Sequence, residues 1–243
     1  VSNNLVIIPT YNEKENIEKL VRAIFSLPVD FHILIVDDGS PDGTAQIVKK
    51  LQSQFTDRLA LQERKGKLGL GTAYIHGFKW ALRHQYEYIF EMDADFSHNP
   101  EDLPRMLKAC QSGADMVIGS RYIKGVNVVN WPMSRVLMSY FASAYVRLIT
   151  RIKIQDATAG FICYRRKVLA TIPLDRIKFV GYAFQIEMKF TALQYGFTVK
   201  EIPIIFTDRT EGTSKMSTRI FREAFLGVIQ MKIASLFKTY PKP

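Results

Sequence analysis

The chain has 243 residues, 47% of them hydrophobic and 23% charged, with 33 Lys and Arg against 23 Asp and Glu for a formal net charge of +10. That composition excludes a disordered or collagen-like chain and is enough to build a sizeable core. The longest strongly apolar stretch without a charge, Val136 to Val146, runs 11 residues, short of the roughly 18 or more that a membrane-spanning helix needs.

In the first half, short apolar runs alternate with longer amphipathic ones. Leu5–Ile8 reads as a buried strand and Phe31–Val36 as a second; Arg58–Gln62, Tyr86–Met92 and Asp115–Ile118 follow as further strands. Helical patterns fill the intervals at 13–26, 43–54, 70–84 and 101–111. This alternation predicts right-handed crossovers and an α/β fold, a mostly parallel sheet flanked by helices on both faces. In the second half, Pro132–Ile149 is a long helix with a wide apolar face. Ala159–Tyr164, Ala183–Tyr195 and Thr198–Phe206 read as strand, helix and strand, and a helix over Thr218–Phe237 closes the chain. With no internal repeat, low-complexity tract or Pro/Gly-rich linker, one domain over 1–243 is expected.

Charge is distributed unevenly. Residues 1–119 carry 13 basic and 16 acidic side chains, and residues 120–243 carry 20 and 7. A basic half suits nucleic acid, an anionic membrane surface or a phosphorylated small molecule. No recognised nucleic-acid-binding motif accompanies the charge. Cys110 and Cys163 are too few for a disulfide framework or a zinc site and point to a reducing compartment. The opening Val1–Asn4 lacks the basic start and apolar core of a secretory signal.

In a parallel sheet, ligands bind beyond the carboxyl ends of the strands. Pro9–Glu13 follows the first strand, with Asn12 placed to cap a helix from about Glu13. Asp37–Thr44 follows the second and is too crowded with polar residues for a simple turn, yet lacks the spacing of a calcium loop. Asp93 and Asp95 follow the fourth. Two carboxylates this close repel unless donors or a cation lie between them, and hard cations such as Mg²⁺ or Mn²⁺ favour such oxygen ligands together with substrate phosphates. One aspartate could instead cap the helix starting near Pro100, a task that also suits Asn99. Lys67–Thr72 is only a partial dinucleotide fingerprint, but can open a helix toward a phosphate. His32, His76, His84 and His98 suggest no nucleophile–base pairing.

As an ordered set, Ile8–Glu13 (IPTYNE), Val36–Thr44 (VDDGSPDGT), Lys67–Gly71 (KLGLG), Asp93–Pro100 (DADFSHNP), Gly119–Arg121 (GSR), Asp156–Phe161 (DATAGF) and Arg209–Lys215 resemble the inverting nucleotide-sugar glycosyltransferases of family 2, which have the glycosyltransferase A-type (GT-A) fold. Within that family the set is most similar to the polyprenyl-phosphate (dolichol-phosphate) mannose synthases. The resemblance implies a Rossmann-like nucleotide-sugar-binding half (1–119) and an acceptor and membrane-interface half (120–243). It implies that Pro9, Tyr11, Glu13, Val36 and Asp38 hold the nucleoside, and that Asp93, Ala94 and Asp95 surround the diphosphate with both aspartates on Mg²⁺ or Mn²⁺. Some relatives carry a further metal-contacting Gln where this chain has Ser97. Arg121, Arg135, Arg209 and Lys215 become the cations facing the donor and acceptor phosphates.

The implied reaction moves mannose from GDP-mannose to a polyprenyl phosphate; a UDP-glucose or UDP-GlcNAc donor is the nearest alternative, and a basic nucleic-acid-binding protein the alternative from another class. A lipid phosphate is already largely ionised near neutrality, so it needs orientation rather than a strong base. The helices over Pro132–Ile149 and Thr218–Phe237, with Arg135, Arg147, Arg151, Arg219, Arg222 and Lys232, then read as amphipathic interface helices. They place the protein peripherally on the cytoplasmic face of a membrane, attached directly or through an anchoring partner protein.

Overall fold

The computed structural model describes residues 2–208 and 218–242. The strands are β1 (Asn4–Thr10), β2 (His32–Asp37), β3 (Leu59–Glu63), β4 (Tyr88–Glu91), β5 (Met116–Ser120), β6 (Val128–Val129), β7 (Ile162–Arg165), β8 (Val199–Pro203) and β9 (Phe206–Thr207). The α-helices are α1 (Ile17–Phe25), α2 (Thr44–Gln52), α3 (Leu70–Arg83), α4 (Leu103–Gln111), α5 (Met133–Thr150), α6 (Arg166–Thr171), α7 (Tyr182–Gln194) and α8 (Thr218–Ser235).

One sheet runs in the order β3-β2-β1-β4-β7-β5-β8. All of its pairs are parallel except those of β7, which is antiparallel to β4 and β5. Alternation along the strands splits the core into two layers. Leu5, Ile7, Leu34 and Val36 face Tyr74 and Phe78 of α3, Val168 of α6 and Phe184 of α7. Val6, Ile8, Ile33 and Ile35 face Ile17 and Leu20 of α1, Val48 of α2 and Leu103 of α4. Burial on both faces explains why β1 and β2 read as unbroken apolar runs. A methyl at Gly77 would come within 2.7 Å of Ile7 Cγ2, so α3 lies tight against β1.

Several elements differ from the sequence expectation. The first helix starts at Ile17, and Asn12 sits at φ 59° rather than at a cap. The backbone N–H groups of Asn12, Glu13 and Lys14 donate instead to Ser40 Oγ (3.0 Å), Thr44 Oγ1 (3.0 Å) and Asp42 Oδ2 (3.1 Å). This stitching of the β1 and β2 exits delays the helix by about one turn. The strand expected over Thr198–Phe206 divides, because Phe206 N–H turns to Asn127 O and β9 pairs with β6. Asn99 does cap, its Oδ1 accepting Glu101 N–H at 3.1 Å where a short 3-10 turn leads into α4.

Candidate active site

At the exits of β1 and β2, carboxylates organise the loops. Asp37 is 1% exposed and accepts from Thr10 Oγ1 (2.8 Å), Ser40 N (2.9 Å) and Ser40 Oγ (2.6 Å). Asp38 accepts from Arg64 Nε (2.6 Å) and Leu68 N (3.0 Å), while Arg64 Nη1 donates to Thr72 Oγ1 at 2.9 Å. Asp38 therefore ties the loop before α3 to the β2 exit. Tyr11 is half-buried, with Lys67 Nζ 4.9 Å from its ring centre. The Glu13 carboxylate accepts from Asn16 Nδ2 at 3.2 Å. Val36 is buried within β2, in register with Pro9 of β1. The five residues expected around a nucleoside thus cluster at two adjacent strand ends.

Beyond β4, Asp93 and Asp95 border a cavity of about 460 Å³. Asp93 N–H donates to His98 Nδ1 (3.2 Å), and Asp95 Oδ1 accepts Ser97 N–H (3.1 Å). Ala94 between them is buried. His98 is a site residue that its sequence context does not reveal. It is 2% exposed and stacks on Phe161 at 4.7 Å, and burial pushes its pKa down to about 4. The ring is therefore neutral and can accept from Asp93 N–H. Among the described residues, no group of three or more His, Cys, Asp or Glu side chains converges as a metal cage. Two carboxylates at a cavity edge fit a hard divalent cation that takes its other ligands from water or substrate phosphate oxygens.

The two described arginines expected to face phosphates differ in their surroundings. Arg121 is 7% exposed, and Asp156, fully buried, accepts from its backbone N (2.9 Å), Nε (2.7 Å) and Nη2 (2.6 Å). Thr158 Oγ1 accepts from Nη2 at 2.8 Å. Burial raises the Asp156 pKa, but the Arg121 charge and hydrogen bonds outweigh it and leave a net lowering. Arg121, expected to face a phosphate, thus enters the cavity wall with its charge paired to Asp156. Arg135 Nη1 donates to Asp208 at 2.7 Å, and its guanidinium lies 4.1 Å from the Trp131 ring centre. Paired with Asp208 among the described residues and lying on a partly exposed helix face, Arg135 is the better placed of the two to take another anion. Arg209 and Lys215 lie outside the described residues.

A set of polar contacts around Gln185 of the cavity wall, largely buried, also escapes sequence reading. Glu91 accepts from Gln185 Nε2 (2.5 Å) and Tyr164 OH (3.0 Å), and burial pushes its pKa up to about 8. Lys189, 0% exposed, donates to the carbonyls of Ala157 (3.2 Å), Ala159 (2.5 Å) and Gln185 (3.2 Å); burial pushes its pKa down to about 8. Glu201 accepts from Gln155 N (2.7 Å) and Asp156 N (2.9 Å). An ammonium on the carbonyl side and a carboxylate on the N–H side thus clamp the loop that presents Asp156 to Arg121. The available signal was charge inside apolar segments, Glu91 between Phe90 and Met92 and Lys189 between Met188 and Phe190.

The rest of the cavity is apolar, walled by Phe141, Ala142, Tyr145 and Val146 of α5, Ile186 of α7, and Phe225 and Val228 of α8. Tyr145 stacks on Phe225 at 4.4 Å and donates to its carbonyl at 2.8 Å, joining α5 to α8. Outside the cavity these helices and the segment after them expose Met133, Leu137, Leu148, Ile233, Leu236 and Phe237. Among the described residues no helix is long and apolar enough to cross a membrane.

The family model described as "Glycosyl transferase family 2" matches residues 5–172. A polyprenol monophosphomannose synthase of Mycolicibacterium smegmatis is 47% identical over 229 residues, 94% of this chain and 86% of that protein. An undecaprenyl-phosphate mannosyltransferase of Micrococcus luteus is 42% identical over 231 residues, 95% of this chain and 94% of that protein. In shape the chain is similar to the mannosyltransferase PcManGT of Pyrobaculum calidifontis, solved with GDP-Man and Mn²⁺, at TM-score 0.62 and 20% identity over 99% of this chain and 66% of that one. It is also similar to glucosyl-3-phosphoglycerate synthase of Mycobacterium tuberculosis, at TM-score 0.66 and 16% identity over 95% of this chain and 79% of that one. The mostly parallel seven-stranded sheet with flanking helices is that of the GT-A fold.

Proposed function

Because the chain belongs to glycosyl transferase family 2 and is a glycosyltransferase, we propose that it transfers mannose from GDP-mannose to a polyprenyl monophosphate with inversion at the anomeric carbon. One observation carries this reading: the same cavity is lined by Asp93, Asp95 and Arg135 and by apolar side chains of α5, α7 and α8. A neutral acceptor would not need the arginine, and a water-soluble phosphate would not need the apolar wall. The names of the relatives, a polyprenol monophosphomannose synthase and an undecaprenyl-phosphate mannosyltransferase, support the same sugar and acceptor class.

Pro9, Tyr11, Glu13, Val36 and Asp38 border the nucleoside, and Asp93, Ala94 and Asp95 the diphosphate. Asp93 and Asp95 would hold Mg²⁺ or Mn²⁺, which supplies Lewis-acid neutralisation of the leaving diphosphate. Arg135 takes the acceptor phosphate and turns one of its oxygens toward the sugar, holding two anions together against their repulsion. That oxygen bonds to the anomeric carbon from the face opposite the diphosphate, whose bond to the same carbon breaks as GDP leaves. Arg121, held by Asp156, stiffens the same cavity's wall, and Arg209 and Lys215 add positive charge from the segment after β9. No proton has to be removed from an ionised phosphate.

The apolar wall receives the start of the lipid, and the exposed apolar residues of α5 and α8 rest on the cytoplasmic face of the membrane. The experiment is a donor comparison with purified protein, Mn²⁺ or Mg²⁺ and a short polyprenyl phosphate. GDP-mannose should be turned over at least tenfold faster than UDP-glucose or UDP-GlcNAc. Preference for either UDP donor would overturn the donor assignment.

A further inference from the structure

Gln185 is a buried polar side chain to which the reaction described above gives no task. It lies in the first turn of α7, is 3% exposed, and forms part of the cavity wall together with Asp93, Ala159 and Gly160. Its position is fixed from two directions. Its Nε2 donates to Glu91 at 2.5 Å, and its main-chain carbonyl accepts from Lys189 at 3.2 Å. Glu91 is held in turn by Tyr164 OH at 3.0 Å. A methyl at Gly160 would lie 3.6 Å from Gln185 Nε2, so the glycine puts no side chain against the amide.

The amide oxygen has no hydrogen-bond partner among the described residues. Turning the amide over would set its oxygen against the Glu91 carboxylate, acceptor against acceptor, so Glu91 fixes the nitrogen on its side and leaves the oxygen as the orphan. That oxygen of a buried, immobilised amide remains for a donor in the cavity to satisfy, as is common where a ligand completes a site.

The chemistry of that ligand follows from what each part of the substrates can do. Phosphate oxygens only accept and are matched by Asp93 and Asp95 through a cation and by Arg135. An isoprenoid chain neither donates nor accepts. A sugar hydroxyl can donate, and so satisfies the amide oxygen. We propose that Gln185 recognises the donor sugar, its amide oxygen accepting a hydrogen bond from one hydroxyl of the transferred hexose. This rests on the reading of the cavity as a nucleotide-sugar site.

The test compares binding of GDP-mannose and GDP, each with Mn²⁺, to the wild type and to Gln185→Met, which keeps length and volume. The variant should bind GDP within twofold of the wild type and GDP-mannose at least about tenfold more weakly, the loss of one buried hydrogen bond. Equal losses for both ligands, or no loss for either, would overturn the proposal. A series of monodeoxy GDP-mannoses on the wild-type protein gives a second readout that needs no variant to fold. One member should bind at least tenfold more weakly than GDP-mannose; uniform affinity across the series would overturn the proposal. Tighter wild-type binding of UDP-glucose than of GDP-mannose would overturn the donor assignment alone, and the UDP-glucose and UDP pair would then judge Gln185 by the same criterion.

Discussion

Asp156 holds Arg121 by three hydrogen bonds at once, one from the arginine's own backbone N–H and two from its guanidinium, with the carboxylate fully buried. Removing the charge of one partner would leave the other buried and uncompensated, which costs about 3–5 kcal/mol. Asp156→Asn should therefore lower unfolding free energy by about that amount in urea titrations. A loss below about 1 kcal/mol, the scale of an exposed ion pair, would show that the buried pair does not behave as one.

Arg135 pairs with Asp208, and its proposed task is to bind the acceptor phosphate rather than to scaffold the wall. Arg135→Ala should reduce kcat/KM for polyprenyl phosphate by about 10- to 100-fold, the worth of a charge-assisted hydrogen bond. GDP-mannose affinity measured without acceptor should stay within twofold. Loss of donor affinity with acceptor KM unchanged would move Arg135 to the donor side.

These two arginines also show how far the sequence could be read. β1, β2 and the pair Asp93 and Asp95 are legible because burial on both faces leaves unbroken apolar runs, after which polar residues stand out. Arg121 and Arg135 are visible as positions, yet nothing local says that one is paired with a buried Asp156 and the other with a partly exposed Asp208. His98 joins the cavity wall by stacking on Phe161, a contact made when β7 lies antiparallel beside β4. The pairing of β6 with β9 is too short to carry any periodicity. The late start of α1 depends on hydroxyl and carboxylate groups beyond β2. Each of these depends on contacts between segments distant in sequence.

The apolar residues exposed at the end of α8 and just beyond predict membrane attachment. Leu236 and Phe237 are 70% and 84% exposed, so replacing both with Ser removes little packing. Burying such side chains is worth about 1.5–3 kcal/mol each, and Leu236→Ser/Phe237→Ser should weaken partitioning onto anionic lipid vesicles at least tenfold. Tm should be unchanged. Unaltered sedimentation with vesicles would mean that this surface does not meet the lipid.

His32 gives a pH dependence of stability. It is 8% exposed, its Nδ1 lies 2.7 Å from Tyr86 OH, and burial lowers its pKa from 6.5. The native state thus disfavours the protonated ring. The stability this contributes is complete above pH 6.5 and is lost as pH falls through the lowered value. His32→Gln should flatten the decline of unfolding free energy below pH 6.5; curves that stay parallel to the wild type would remove His32 from the explanation.

The central claim is that one cavity brings a metal-held nucleotide sugar to a lipid phosphate. Its most direct test is transfer of labelled mannose from GDP-mannose into the organic phase by purified protein, with Mn²⁺ and a polyprenyl phosphate. A mannosylated lipid should form, its formation stopping with EDTA and falling at least about a hundredfold in Asp93→Ala/Asp95→Ala. Label that remains in the aqueous phase with wild-type protein, or transfer undiminished in the double variant, would contradict that claim.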